Sequence, residues 1–188
     1  AKPSETPTNP SEKPTVSFTD VEMDSWYTEA IQWAVANNIT TGLDSTTFGT
    51  KHLLTRGQMV TFLWRAAGSP APKGTVSFAD VSAGSYYAKA VAWAVENGIT
   101  KGTSDTTFSP NMTCSRAQIV TFLWRSEKSP AAGTANPFAD VKSTAYYADA
   151  VLWAVKENII KGTTNTTFSP NADCTRAQIV TFLWRCKK

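Results

Sequence analysis

The chain has 188 residues, 41% hydrophobic and 11% aromatic, which is enough apolar material for a folded core and excludes a disordered chain. Its formal net charge of +3, not gathered into runs, is too mild for a strongly basic nucleic-acid binder and licenses only a modest attraction to anionic partners. No apolar run approaches the roughly 20 residues needed to cross a bilayer, and the first residues show neither the charged nor the apolar stretch of a secretory leader.

The chain opens with AKPSETPTNPSEKPT over residues 1–15, rich in Pro, Thr, Ser, Glu and Lys and without hydrophobic periodicity, which predicts a stiffened, solvated linker. From there the sequence repeats with a period of sixty. Phe18, Phe78 and Phe138 keep that offset, as do Trp33, Trp93 and Trp153, Phe48, Phe108 and Phe168, and Trp64, Trp124 and Trp184. The expected division is a linker at 1–15 and three repeats at 16–70, 71–130 and 131–188. All six arginines fall in two aligned columns, Arg56/Arg116/Arg176 and Arg65/Arg125/Arg185, whereas the lysines are scattered.

Each copy reads as two helices. The first is expected over roughly Tyr86–Asn97 in the middle copy, with Ser85 as N-cap and Tyr87, Ala90, Val91, Ala94 and Val95 at helical spacing. It should end at Gly98, aligned with Asn38 and Asn158, the residue types that best tolerate a left-handed C′ position. An irregular loop pinned by Phe108 follows, with room for a short extended pairing. The second helix opens on Thr55-Arg56-Gly57-Gln58, Ser115-Arg116-Ala117-Gln118 and Thr175-Arg176-Ala177-Gln178, each a capping box. Leu54, Cys114 or Cys174 before the cap, with Met59, Ile119 or Ile179 four residues into the helix, makes the hydrophobic staple, so those two cysteines read as buried packing groups. The run Ile119 to Arg125 is apolar on nearly every side, too much for one helix pair to bury alone. Three copies packed about a pseudo-threefold axis bury it.

These residues resemble the S-layer homology family. The marks are Phe-x-Asp-Val at Phe18, Phe78 and Phe138, the aromatic opening the first helix, the Gly-x-x-x-x-x-Phe turn and the Thr-Arg-Ala-Glu-like start of the second helix. The resemblance covers almost everything from residue 16 to 188. It implies a mainly α, three-pronged, pseudo-threefold domain of three helix-loop-helix repeats. It also implies that the grooves between repeats bind secondary cell wall polysaccharide through a pyruvate ketal on N-acetylmannosamine, on a secreted protein at the bacterial cell surface, without catalysis, metal or cofactor. Carried over by position, the binding residues are Arg56, Arg116 and Arg176; Asp20, Asp80 and Asp140; Trp26, Tyr86 and Tyr146; and Gly42, Gly102 and Gly162. The family's Glu is Gln here in every copy, at Gln58, Gln118 and Gln178, which keeps the capping hydrogen bond and removes a negative charge. Copy one also has Gly57 for Ala and Gly49-Thr50-Lys51 for Ser-Pro-Asn, which predicts a weaker first groove.

The chemistry suits such a ligand. Arginine at a helix start offers a planar fork to a carboxylate, reinforced by free backbone N–H groups and the helix dipole, while an aromatic ring covers the apolar face of a sugar. Two other readings stand beside it. The arginines of the first column could instead pair with the Phe-x-Asp aspartates and hold the repeats together, and the whole unit could serve S-layer protein–protein assembly. On the sugar-binding reading, truncating Arg116 or Arg176 removes affinity and spares the fold. Arg65, Arg125 and Arg185 need no more than helix-end and surface pairing. The two tryptophan columns read as core, and His52, the single histidine, as a loop residue. Asp44, Asp105 and Asn165 read as turn residues.

Overall fold

A computed structural model describes residues 17–188, so the predicted linker at 1–15 lies outside the described residues. Six helices follow in order: α1 Thr28–Ala36, α2 Arg56–Ala66, α3 Ala88–Glu96, α4 Arg116–Ser126, α5 Ala148–Lys156 and α6 Arg176–Lys187. Among the described residues no helix is long and apolar enough to cross a membrane.

The first helix of each copy is shorter at its start than the periodicity suggests. In the middle copy Ser85 accepts the Ala88 N–H through its main-chain carbonyl, in a turn, and the cap is Tyr87, which makes no side-chain cap bond. At the other end the expectation holds in detail. Gly98, Asn38 and Asn158 all have positive φ, and Ile99 N–H reaches back to Ala94 O at 2.8 Å while Gly98 N–H reaches Val95 O at 3.0 Å. That is the paired closure of a Schellman motif, which satisfies the last carbonyls of the helix. All three second helices carry the expected capping box, with Thr55, Ser115 and Thr175 accepting from the N–H of Gln58, Gln118 and Gln178.

The packing partners lie in neighbouring copies. Helix α2 packs on α3, α4 on α5, and α6 returns to pack on α1, while α4 also touches α2 and α6. The second helix of each copy therefore meets the first helix of the next, and the third copy meets the first. The segments just before the second helices bridge as short antiparallel contacts, Leu53 with Thr175, Thr55 with Thr113 and Ser115 with Asp173. The extended pairing thus lies beside the caps and not in the loop around Phe108. Leu54, Cys114 and Cys174 are fully buried with Met59, Ile119 and Ile179, as a hydrophobic staple requires. Burial pushes the Cys114 thiol up to about 12 and the Cys174 thiol up to about 11, so both are protonated packing groups at neutral pH. The tryptophan columns line the packed interior or its edge: Trp153 is buried, and Trp64 donates its indole N–H to the Pro70 carbonyl at 2.8 Å.

Phe48, Phe108 and Phe168 are fully buried, and each pins its loop to the centre. Replacing Phe108 with Ala leaves a ring-sized void beneath an inter-copy contact. The expected loss is about 3–5 kcal/mol, read as a lowered urea midpoint with the helical circular-dichroism signal retained in the absence of denaturant.

Candidate functional site

The site is built where a second helix begins. Arg56, Arg116 and Arg176 are the first residues of α2, α4 and α6, and all three are buried, at 3%, 6% and 3% exposure. Their side chains leave their own copy. Arg56 Nε donates to Phe108 O at 2.9 Å, Arg116 Nε to Phe168 O at 2.8 Å, and Arg176 Nε to Phe48 O at 2.9 Å. Each guanidinium also lies over the ring of that phenylalanine, 4.8, 4.6 and 4.9 Å from its centre. Each arginine is thus a plug set into the next copy, the last one into the first.

Two expectations about this helix start are corrected. The backbone N–H groups are not free: Arg56 N–H donates to Met112 O and Gly57 N–H to Pro110 O, Arg116 and Ala117 donate to Ala172 and Pro170, and Arg176 and Ala177 to His52 and Thr50. With the capping hydroxyl taking the third amide, the helix start has its acceptors inside the protein. Nor do the arginines pair with aspartate, since among the described residues the ion pairs within 4.0 Å are Lys156–Glu157 and Lys187–Glu127.

Asp20, Asp80 and Asp140 hold the loops instead. Asp20 accepts from the N–H groups of Phe48, Gly49 and Thr50, Asp80 from Phe108 and Ser109, and Asp140 from Phe168 and Ser169, at 2.7–2.9 Å. Each aspartate therefore fixes the loop whose phenylalanine carbonyl receives an arginine. Desolvation works to raise these carboxyls, but the backbone donors outweigh it and hold all three below the ordinary value. The charge of Arg56 adds to this at Asp80 and that of Arg116 at Asp140, so each arginine is electrically coupled to the aspartate of the following copy.

Gly42, Gly102 and Gly162 close the turn after the first helix. Gly42 and Gly102 have φ of 91°, and a Cβ at Gly102 would sit 2.7 Å from the Phe78 ring and 2.5 Å from Thr107 O. The Phe of the Phe-x-Asp motif thus demands the glycine of the turn. Trp26, Tyr86 and Tyr146 are 56%, 61% and 61% exposed, large for aromatic rings that also meet the adjacent Tyr27, Tyr87 and Tyr147 edge-on at 5.0 Å.

These pieces come together across copies. One cleft, of about 380 Å³, is lined by Arg56 from copy one, Thr100 to Thr103, Gln118, Phe122 and Arg125 from copy two, and Tyr146 from copy three. The same grouping appears electrostatically: Arg56 and Arg125 pull on the Tyr146 phenol against the upward push of desolvation, and Arg65 and Arg176 do the same at Tyr86. The sixty-residue period makes Arg116, Gly162, Arg185 and Trp26, and Arg176, Gly42, Arg65 and Tyr86, the equivalents of this set at the other two boundaries, and in the last of these Arg65 and Arg176 both act on the Tyr86 phenol. Arg125 sits in the last turn of α4, as the sequence suggests, and it also lines the cleft, its Nη1 donating to Ile99 O as Arg65 does to Ile39 O and Arg185 to Ile159 O. The unbroken second arginine column was the signal that pointed there. Lys101 is a further lining residue that the sequence did not single out, and Gln118, read there as a capping residue, lines the cleft as well.

Copy one's two departures part company. Gly57 faces Tyr87 and the Pro110 carbonyl at the boundary with copy two, whereas Gly49 belongs to the loop that receives Arg176. Asp44 is the acceptor of a local turn, bonded to the N–H groups of Thr46 and Thr47. A larger cleft of about 520 Å³ lies between Trp64, α3 and residues 69–76; it is mostly apolar, and Lys89 is its one charged lining residue.

Three tandem helical units whose cationic clefts are completed by all three copies define a closed repeat domain. The S-layer homology domain family matches at residues 17–60, 77–120 and 137–180, and the chain belongs to that family. It is 32% identical over 79% of its length to a surface-layer 125 kDa protein of Lysinibacillus sphaericus, covering 13% of that protein, and 29% identical over 92% of its length to an S-layer protein of Bacillus thuringiensis subsp. finitimus, covering 21%. Over 54% of its length it is 35% identical to an endoglucanase of a Bacillus species (strain KSM-635), of which it covers 11%. The chain thus spans about a fifth or less of these relatives. Membership places it at the bacterial cell surface in a wall-anchoring role.

Two outcomes follow from the bonding. Because the folded aspartate values are depressed, their contribution is full above the unfolded value of about 3.9 and is lost as pH falls through the folded values; melting temperature should therefore drop below about pH 4, and Asp80→Asn should flatten that drop. Arg116→Ala strips a donor from the Phe168 and Lys161 carbonyls, so it is expected to cost on the order of 2–4 kcal/mol in denaturant unfolding, contrary to the sequence-based expectation of an intact fold.

Proposed function

We propose that the chain tethers the protein carrying it to the cell wall by binding an acidic secondary cell wall polysaccharide in the clefts between copies, with a pyruvate ketal on N-acetylmannosamine as the recognised group. One observation carries this reading: the Arg56 cleft combines two guanidinium groups, the Lys101 side chain, an exposed tyrosine ring and a glycine turn, and no carboxylate lines it. Such a surface attracts an anion and rejects an acidic neighbour of its own. A ketal carboxylate suits the planar guanidinium fork, and the face of Tyr146 suits the apolar face of the sugar.

The arginines act here from within. Their Nε atoms are committed to the protein, so a ligand meets only the outer edge of each fork, positioned by the Phe carbonyl and the stacked ring. A preorganised donor of this kind loses little freedom on binding.

The test compares native wall polysaccharide with the same material after mild acid removal of pyruvate. Affinity for the native glycan should exceed that for the stripped glycan by about tenfold or more, the worth of one charge-assisted hydrogen bond. Equal affinities would sink the ketal as the recognised group. Binding to neither, together with concentration-dependent self-association in sedimentation, would instead favour S-layer protein assembly.

A further inference from the structure

The three clefts share a plan, but their residues differ. Lys101 precedes the turn glycine in the Arg56 cleft and lines it. Sixty residues on, Lys161 holds that place, and its main-chain carbonyl accepts from Arg116 Nη2 at 2.7 Å, which sets the residue directly beside the guanidinium. In the Arg176 cleft the equivalent residue is Thr41, so the ammonium is missing.

A second difference sits just after the glycine. Thr103 and Thr163 place hydroxyls 2.7 Å from those of Ser109 and Ser169, a polar pair beside each of the first two clefts. At the third the pair is Leu43 and Gly49, and these two are matched sterically. A Cβ at Gly49 would fall 2.5 Å from Leu43 Cδ1, so the leucine fills the space that a serine occupies elsewhere. Leu43 is 46% exposed and gives this rim an apolar surface.

The guanidinium groups differ as well. Arg176 Nη2 donates to Thr40 Oγ1 at 2.9 Å and Arg116 Nη2 to the Lys161 carbonyl at 2.7 Å, whereas Arg56 Nη2 is buried and has no acceptor among the described residues, which sets the Arg56 cleft apart from both others. A buried cationic donor without a partner is costly and is relieved by an acceptor brought from outside. Its residue, Arg56, lines the cleft that also holds Lys101.

We infer, resting on the acidic-sugar reading above, that the chain has two working anion clefts, built on Arg56 and Arg116, and that Lys101 and Lys161 select them by supplying a second cation to the ligand carboxylate. The Arg176 cleft, with Thr41, Leu43 and Gly49, does not take the acidic sugar. The residue before the turn glycine is the specificity determinant, and it acts by contact with the ligand. Lys101, Lys161 and Thr41 are all exposed and free of core packing, so their substitution leaves the fold standing.

Isothermal titration of residues 1–188 with the methyl glycoside of pyruvyl-ketal N-acetylmannosamine tests this, with N-acetylmannosamine as the neutral control. The expected stoichiometry is two. Lys101→Gln and Lys161→Gln should each weaken one site by about tenfold, and combining Thr41→Lys, Leu43→Thr and Gly49→Ser should raise the stoichiometry to three. Three equal sites in the starting chain, or two sites indifferent to both lysine changes, would overturn the inference while leaving the acidic-sugar reading in place. No uptake of the ketal sugar at any site would overturn both.

Discussion

The structure depends on one contact repeated three times, the insertion of an arginine from the start of a second helix into the loop of the following copy. Burying a guanidinium is expensive, and burial indeed lowers the pKa of all three. The cost is met by geometry: a Phe carbonyl in line with Nε, an aromatic ring beneath the plane, and an aspartate one loop away whose charge is felt without direct pairing. The same aspartate orders the loop that presents the carbonyl. Folding and the assembly of the clefts are therefore one event, because the group that closes the inter-copy contact also lines the cleft.

Much of this was legible in the sequence, and the legible part is local. A hydroxyl three residues ahead of Gln at Thr55, Ser115 and Thr175 and an Asn or Gly at 38, 98 and 158 fix helix ends through bonds within a few residues, so their patterns survive in one dimension. The sixty-residue period announced a closed set of like units. It could not announce which copy supplies what to a given cleft, because a strict period looks the same however the copies are paired. Arg56 meeting Gly102 and Tyr146 is a fact of three-dimensional closure only.

The misreadings have equally physical causes. Ser85 resembles a cap by type, but its carbonyl, not its hydroxyl, meets the helix, since Tyr87 already has helical backbone angles. The arginine and aspartate columns looked like natural partners for an ion pair, yet main-chain groups outbid the opposite charge for each of them. Arg125 does belong to a helix end, but its distance from Arg56 along the chain hides that both also line one cleft.

The return of α6 onto α1 also settles how many units the chain can hold. In an open solenoid each added unit stacks on the last, and the outermost ones need special polar faces. Here Arg176 reaches Phe48 across 128 residues, so the last unit's donor is spent on the first unit's acceptor and neither end is left exposed. A fourth unit would find no vacant socket and could enter only by prying open the seam that the first and third already share. The number three is thus set by the circle's closure, and lengthening such a protein requires a second complete ring strung beside the first.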